Sequence, residues 1–159
     1  MTEAEAKETA GTLALMAELE RAIADLYRAC AKADADRGEV WERLAGAERN
    51  HAVWVRALAK ALLERKGEGF RAGRRFGRDT IQTLATQVRK NEMDVRAGSI
   101  KGRAMYLMAR GLETTLIEDR FYELVTAQDE EHQKLVARIV AETREHQALM
   151  HAWAKAAGA

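Results

Sequence analysis

The sequence predicts an all-α fold: four long helices joined by two short loops and one long crossover. Three observations carry that expectation. The chain contains no proline among its 159 residues, so nothing forces a break inside a helix. It is rich in Ala, Leu, Glu, Arg and Lys, the straight-chain helix formers, and poor in aromatics, which favours helices over strands. Apolar residues recur alternately three and four apart in four separate segments, the signature of a helix with one buried face. The length suits a single domain, 1–159, with one sizeable core.

The elements follow in order. The first helix is expected from about Thr2 to Lys32, with Thr2 and Glu5 placed for a reciprocal capping box. The second is expected from about Glu39 to Lys66, completing a helical hairpin over about 2–66. The crossover, about 67–99, opens in the Gly/Arg-rich run KGEGFRAGRRFGR at 66–78, whose Arg71, Arg74, Arg75 and Arg78 read as a solvated loop. Asp79 is placed to cap a shorter helix reaching about Val95, and Gly98 and Gly102 mark a break after it. A second hairpin, about 100–155, holds the third helix, from about Ile100 to Val125, and the fourth, from about Gln128 to Lys155. Thr126 or Gln128 stands near the cap of the fourth, which has acids in its first turn.

Composition excludes several classes. The formal net charge is +1, so no global field draws the chain to nucleic acid or to a membrane surface. The single cysteine, Cys30, forms no intramolecular disulfide and supports no Cys-based zinc or iron–sulfur site within one chain. The first residues, MTEAEAKETAG, are acidic and polar, unlike a signal peptide. No apolar run approaches the ~18 residues of a membrane span. A cytoplasmic location is the expectation.

Polar residues interrupt the apolar seams. In the first helix one seam reads Leu13, Met16, Glu20, Ile23, Tyr27, Cys30; in the second, Trp41, Leu44, Glu48, His51, Val55, Leu58, Leu62. The third helix has the stripe Tyr106, Ala109, Glu113, Ile117, Phe121, Leu124, and the fourth has Leu135, Ile139, Glu142, His146, Leu149, Trp153. Burying an unpaired carboxylate costs several kcal/mol even after relaxation. Four acids and two histidines in mid-helix therefore call for one common cause. The competing reading is a set of buried salt bridges or half-exposed seams.

The heights agree too. The midpoint of Glu20 and Glu48 is residue 34, and that of Glu20 and His51 lies between 35 and 36, both in the first loop. The midpoints of Glu113 with Glu142 and with His146 fall between 127 and 130, in the second loop. Each hairpin thus brings Glu, Glu and His to one depth. Two divalent cations would neutralise four carboxylates, which can bridge them, and imidazole suits iron, manganese or zinc. Glu48 and His51 lie about 60° apart around a helix, and Glu142 and His146 about 40°, so either pair can reach one ion.

The run from Glu20 to Tyr27, ERAIADLY, followed by AERNH with Glu48 and His51, resembles the ferritin-like superfamily, and rubrerythrin-like di-iron proteins in particular. Glu48-Arg49-Asn50-His51 matches the Glu-x-x-His motif of carboxylate-bridged bundles. LETTLIEDRFY, with Glu113 and Tyr122, and AETREH, with Glu142 and His146, supply the second half. The likeness covers roughly 10–63 and 104–153. It departs at Thr143, which stands where the motif would place an acid, and the four cysteines of a rubredoxin-type centre are missing. The resemblance implies a ferritin-like four-helix bundle holding two iron ions, with manganese or zinc as alternatives. It implies an oxidoreductase of peroxidase or ferroxidase type, acting on dioxygen or hydrogen peroxide and reduced by a separate electron-donor protein. Glu20 and Glu113 would be terminal or switching ligands, Glu48 and Glu142 the bridging pair, His51 and His146 terminal nitrogen donors, with Glu118 a competitor to Glu113 or an extra ligand. Tyr27 would act at the site by hydrogen-bonding a ligand. A homodimer is compatible with this reading. The alternatives are a metal-binding or iron-handling protein without turnover, and a bundle with a decayed site that serves partner binding.

Overall fold

The computed structural model describes residues 1–73, 77–118 and 123–158; the side chains of residues 117 and 118 lie outside that description. It is predominantly helical, with α1 (Glu3–Ala33), α2 (Gly38–Glu64), α3 (Arg78–Arg96), α4 (Arg103–Glu118) and α5 (Glu130–Gly158). This arrangement is compatible with a helical bundle. Among the described residues no helix is long and apolar enough to cross a membrane.

Helix α1 opens on the expected capping box: Glu5 N–H donates to Thr2 Oγ1 at 3.2 Å, and Thr2 N–H donates to Glu5 Oε2 at 2.9 Å. α1 is buried on more than one side, because it packs along both α2 and α3. One turn of 3₁₀ helix, Ala35–Arg37, makes the tight reversal into α2. α3 lays the stripe Ile81, Val88, Val95, each two turns from the next, against α1. It starts one residue before Asp79, with Gly77 at the cap and no side-chain cap bond, so Asp79 is a first-turn acid and not the cap. Gly98 and Gly102, both at positive φ, divide α3 from α4. α4 packs on α5, and α5 meets α2.

The sequence placed Val125 in the third helix; it lies instead in a strand. β1 (Phe70–Ala72) pairs antiparallel with β2 (Val125–Ala127), Phe70 opposite Ala127. The ribbon ties the crossover to the turn between α4 and α5, with Phe70, Val125 and Ala127 in the core. Gly73 ends β1, and its N–H donates to Leu124 O at 3.0 Å. A Cβ at Gly73 would lie 1.8 Å from the Glu123 carbonyl oxygen, so glycine is required by close approach. Of the loop arginines, Arg71 is exposed in β1 and Arg78 begins α3, while Arg74 and Arg75 lie outside the described residues. The cap of α5 is neither Thr126 nor Gln128. Asp129 Oδ1 accepts the His132 N–H at 3.0 Å and faces His132 Nδ1 at 2.6 Å.

Candidate metal centre

Every apolar residue named for the first two seams is buried, and so are Glu20, Glu48 and His51 between them. The fourth seam is turned by one residue from the sequence reading. α5 buries Ile139, Thr143, His146, Met150 and Ala154, leaving Leu135, Glu142, Leu149 and Trp153 half-buried on the flank. Thr143 tolerates full burial because its hydroxyl donates to Ile139 O at 2.9 Å. Glu142 stays near solvent, where Arg138 Nε donates to its Oε1 at 2.8 Å.

Two groups of donors form. Glu20, Glu48 and His51 each offer an atom within 4.8 Å of the others, and so do Glu48, Glu113 and His146; all five residues are buried, and Glu48 belongs to both groups. Its Oε2 faces His51 Nδ1 at 3.0 Å, and its Oε1 lies 2.7 Å from His146 Nδ1. His146 Nδ1 is also 3.6 Å from Glu113 Oε1. Tyr27, fully buried, donates its hydroxyl to Glu113 Oε1. Glu142 joins through His51, whose Nε2 is 2.9 Å from Glu142 Oε2. The sequence-derived Glu20, Glu48, His51, Glu113 and His146 thus meet at one level, with Tyr27 hydrogen-bonded to them and Glu142 at the edge. The side chain of Glu118, and Tyr122, lie outside the described residues.

The electrostatics are those of a crowded anionic cavity. Burial works against ionising Glu48, but the two histidines outweigh it and hold the carboxyl down to about 2. Burial and the neighbouring Glu48 charge push Glu113 up, and Tyr27 is pushed up by burial and by Glu113. Burial lowers His146, yet Glu113 and Glu48 more than compensate and raise it to about 10. His51 is raised against its own desolvation by Glu48 and Glu142. Without a cation, a proton on His146 offsets part of the carboxylate charge. The hydrogen bonding is incomplete too: among the described residues Glu48 Oε1, Glu113 Oε2 and His146 Nδ1 are buried without an aligned partner. Oxygen and imidazole donors pointing at one another with unused lone pairs fit divalent metal ions.

Solvent reaches the edge of the donor set between α2 and α5. A groove of about 600 Å³ between α2 and α5, floored by Gly46 and Ala47, exposes the edges of Glu142 and His146 and is rimmed by Arg43 and Arg49. An apolar cavity of about 20 Å³ lies farther along the same helices, with Met16, Trp54 and Ile139 in its wall.

The chain matches no family model, no curated protein and no solved structure. Two features escaped the sequence reading. Thr143 was legible as the residue three before His146, but its burial depended on the rotation of α5. The rings of Trp41, Tyr106 and Trp153 looked like ordinary seam residues. They gather into one layer beside Tyr27, and each stands seven residues from a donor named above.

Proposed function

We propose that the chain is a ferritin-like bundle in which α1, α2, α4 and α5 hold two metal ions, iron first among them, for rubrerythrin-like chemistry on dioxygen or hydrogen peroxide. The observation that carries this reading is the sharing of Glu48 between two buried three-donor groups. A carboxylate with one oxygen toward each group is the arrangement that bridges a metal pair. Glu20 and His51 would hold one ion, Glu113 and His146 the other.

Bound there, iron would supply electrons for reducing the oxidant. The chain's own residues do the rest. Tyr27 fixes the orientation of Glu113 by donating to it. Arg138 holds Glu142 at the mouth, where it can take or give a proton through His51. The groove beside His146 admits a small polar oxidant, and the apolar residues on the seams keep bulk water out. A single cysteine supports no rubredoxin-type or iron–sulfur centre within this chain, so in this reading electrons for repeated turnover come from a separate protein.

Thr143 and the tie from Glu142 to Arg138 favour a second reading, metal storage or handling without turnover: the second half-site has one inward acid fewer than the motif supplies. Anaerobic titration with Fe(II), followed by elemental analysis and addition of peroxide, tests both. Binding close to two ions per chain with rapid oxidation is expected. Stoichiometric binding with no peroxide reaction selects the second reading, and binding near zero ends both.

A further inference from the structure

Tyr27 stands seven residues after Glu20, Trp41 seven before Glu48, Tyr106 seven before Glu113, and Trp153 seven after His146. Seven residues are two helical turns, about 10 Å. Since neighbouring helices run in opposite senses, all four rings fall in one layer on the same side of the donor residues. The ring centroids form a connected path: Tyr27 to Trp41 at 5.4 Å, Trp41 to Trp153 at 5.1 Å, Trp41 to Tyr106 at 6.4 Å, and Tyr106 to Trp153 at 5.6 Å. One end touches the candidate centre through the Tyr27–Glu113 hydrogen bond. The other reaches solvent at Trp153, where the Arg37 guanidinium lies 5.5 Å from the Trp153 ring and 5.2 Å from the Tyr106 ring.

The acidic hydrogens of three rings meet carboxylates. The Tyr27 hydroxyl donates to Glu113, the Trp41 Nε1–H to Asp34 at 3.2 Å, and the Tyr106 hydroxyl to the same Asp34 oxygen at 2.8 Å. A core that needed only apolar volume there would use Leu or Phe, with no polar hydrogen to satisfy. Aromatic rings a few ångströms apart, three of them with a carboxylate at the acidic hydrogen, suit the loss of an electron and a proton together.

Resting on the di-metal reading, we propose that Tyr27, Trp41, Tyr106 and Trp153 form a relay that carries oxidising equivalents from the metal pair to the Asp34–Arg37 end of the molecule. Its substrate there is a small one-electron reductant such as ascorbate. Reduction of one hydrogen peroxide to two waters takes two electrons and two protons. Were a bound metal pair to supply only one of the two electrons, the relay would supply the second. Tyr27 yields that electron while its phenolic proton passes to Glu113. Trp41 then gives an electron to Tyr27, which takes its proton back from Glu113. Tyr106 or Trp153 gives an electron to Trp41, protons of Trp41 and Tyr106 resting on Asp34 meanwhile. Ascorbate, oxidised to its radical, gives the last ring its electron, and the two protons of the reduction come from solvent. The device spares the metal ligands from oxidation when the regular donor is scarce.

The test uses the iron-loaded chain, treated with peroxide without reductant, frozen at intervals for electron paramagnetic resonance and then mapped for oxidised residues by mass spectrometry. The wild type should give an organic-radical signal and oxidation at Tyr106 and Trp153, both quenched by ascorbate. Trp41→Phe should cut oxidation at those two positions at least about tenfold, a barrier change of about 1.4 kcal/mol. It should not lower oxidation at Trp54, which lies off the path with its ring 5.7 Å from that of His51. Should Trp41→Phe fold poorly by circular dichroism, Tyr106→Phe with Trp153→Phe serves instead, and the radical should then persist on Trp41 and resist ascorbate. Equal oxidation of Trp153 in wild type and Trp41→Phe overturns the relay, as does the absence of any radical once iron has bound and reacted with peroxide. Both of those outcomes leave the metal reading standing. Failure to bind iron sinks the two together.

Discussion

Glu113 and Glu48 are both fully buried carboxylates, yet their surroundings push them in opposite directions. Glu48 faces two imidazoles and stays ionised. Glu113 faces Glu48 and the Tyr27 hydroxyl, and its charge is disfavoured first by burial and then by its neighbour. An acid whose folded pKa is raised binds its proton more tightly in the folded state, so its contribution to stability falls as pH rises. Glu113→Gln removes that penalty while keeping an oxygen for Tyr27. The apo protein should therefore melt at the same temperature or a few degrees higher at neutral pH. Metal affinity should fall at least about tenfold, about 1.4 kcal/mol, because a neutral amide replaces an anionic ligand. Calorimetry of both proteins with chelator, and titration of both with Mn(II), measure the two effects. A large loss of apo stability with unchanged affinity would mean that Glu113 is a structural residue. The burial of Glu20, Glu48 and Glu113 was legible residue by residue, because each interrupts an otherwise apolar seam. Glu142 was harder: it and Thr143 are one step apart on α5, and sequence alone does not say which of two adjacent polar residues turns inward.

At the scale of elements, the hairpin helices could be read from periodicity and the α1 cap from its box motif, but the β1–β2 ribbon could not. Its hydrogen bonds join residues more than fifty positions apart, and each strand is three residues long, too short for a period of two to register. Leu124 and Val125 then continue an apolar helical stripe as well as they begin a strand. The α5 cap was missed for a related reason: Thr126, Gln128 and Asp129 are all polar, and only the ribbon's end point selects Asp129. Its carboxyl is held down to about 2, chiefly by the His132 backbone N–H, with the His132 side chain and Arg65 behind it. A depressed carboxyl stabilises the fold above its unfolded value of about 3.9, and that contribution is lost as pH falls through about 2. Asp129→Ala should lower the melting temperature by a few degrees at neutral pH and leave it nearly unchanged at the acid end of that window. A melting series over acid pH checks this. An equal drop at every pH would assign the effect to packing and not to the cap charge.

In the proposed reading, metal, protons and stability are coupled across the whole molecule. In the apo state the imidazole of His146 holds a proton that offsets the charge of Glu48 and Glu113, and the same kind of neighbours, Glu48 and Glu142, raise His51. A histidine raised to about 10 contributes stability that is fully present below its unfolded value of about 6.5 and is lost as pH rises through about 10. The apo protein should accordingly lose melting temperature steadily across that interval. Metal ions bind only unprotonated imidazole, so they displace such a proton, and apparent affinity should rise with pH from the acid side toward mild alkalinity. Because the ions bind the folded arrangement alone, occupancy at one hundred times the dissociation constant adds about 2.7 kcal/mol. For a chain of this length that raises the melting temperature by roughly 5–11 °C. Thermal melts with excess chelator and with Mn(II), at several pH values between about 6.5 and 8.5, separate the two contributions. Isothermal calorimetry in buffers of different ionisation enthalpy counts the protons released. The apo curve should fall with pH while the gap between loaded and apo curves widens. Parallel curves with no proton release would mean that metal does not bind at the histidines, and a gap of zero at every pH would leave the buried Glu and His residues as a salt-bridge network.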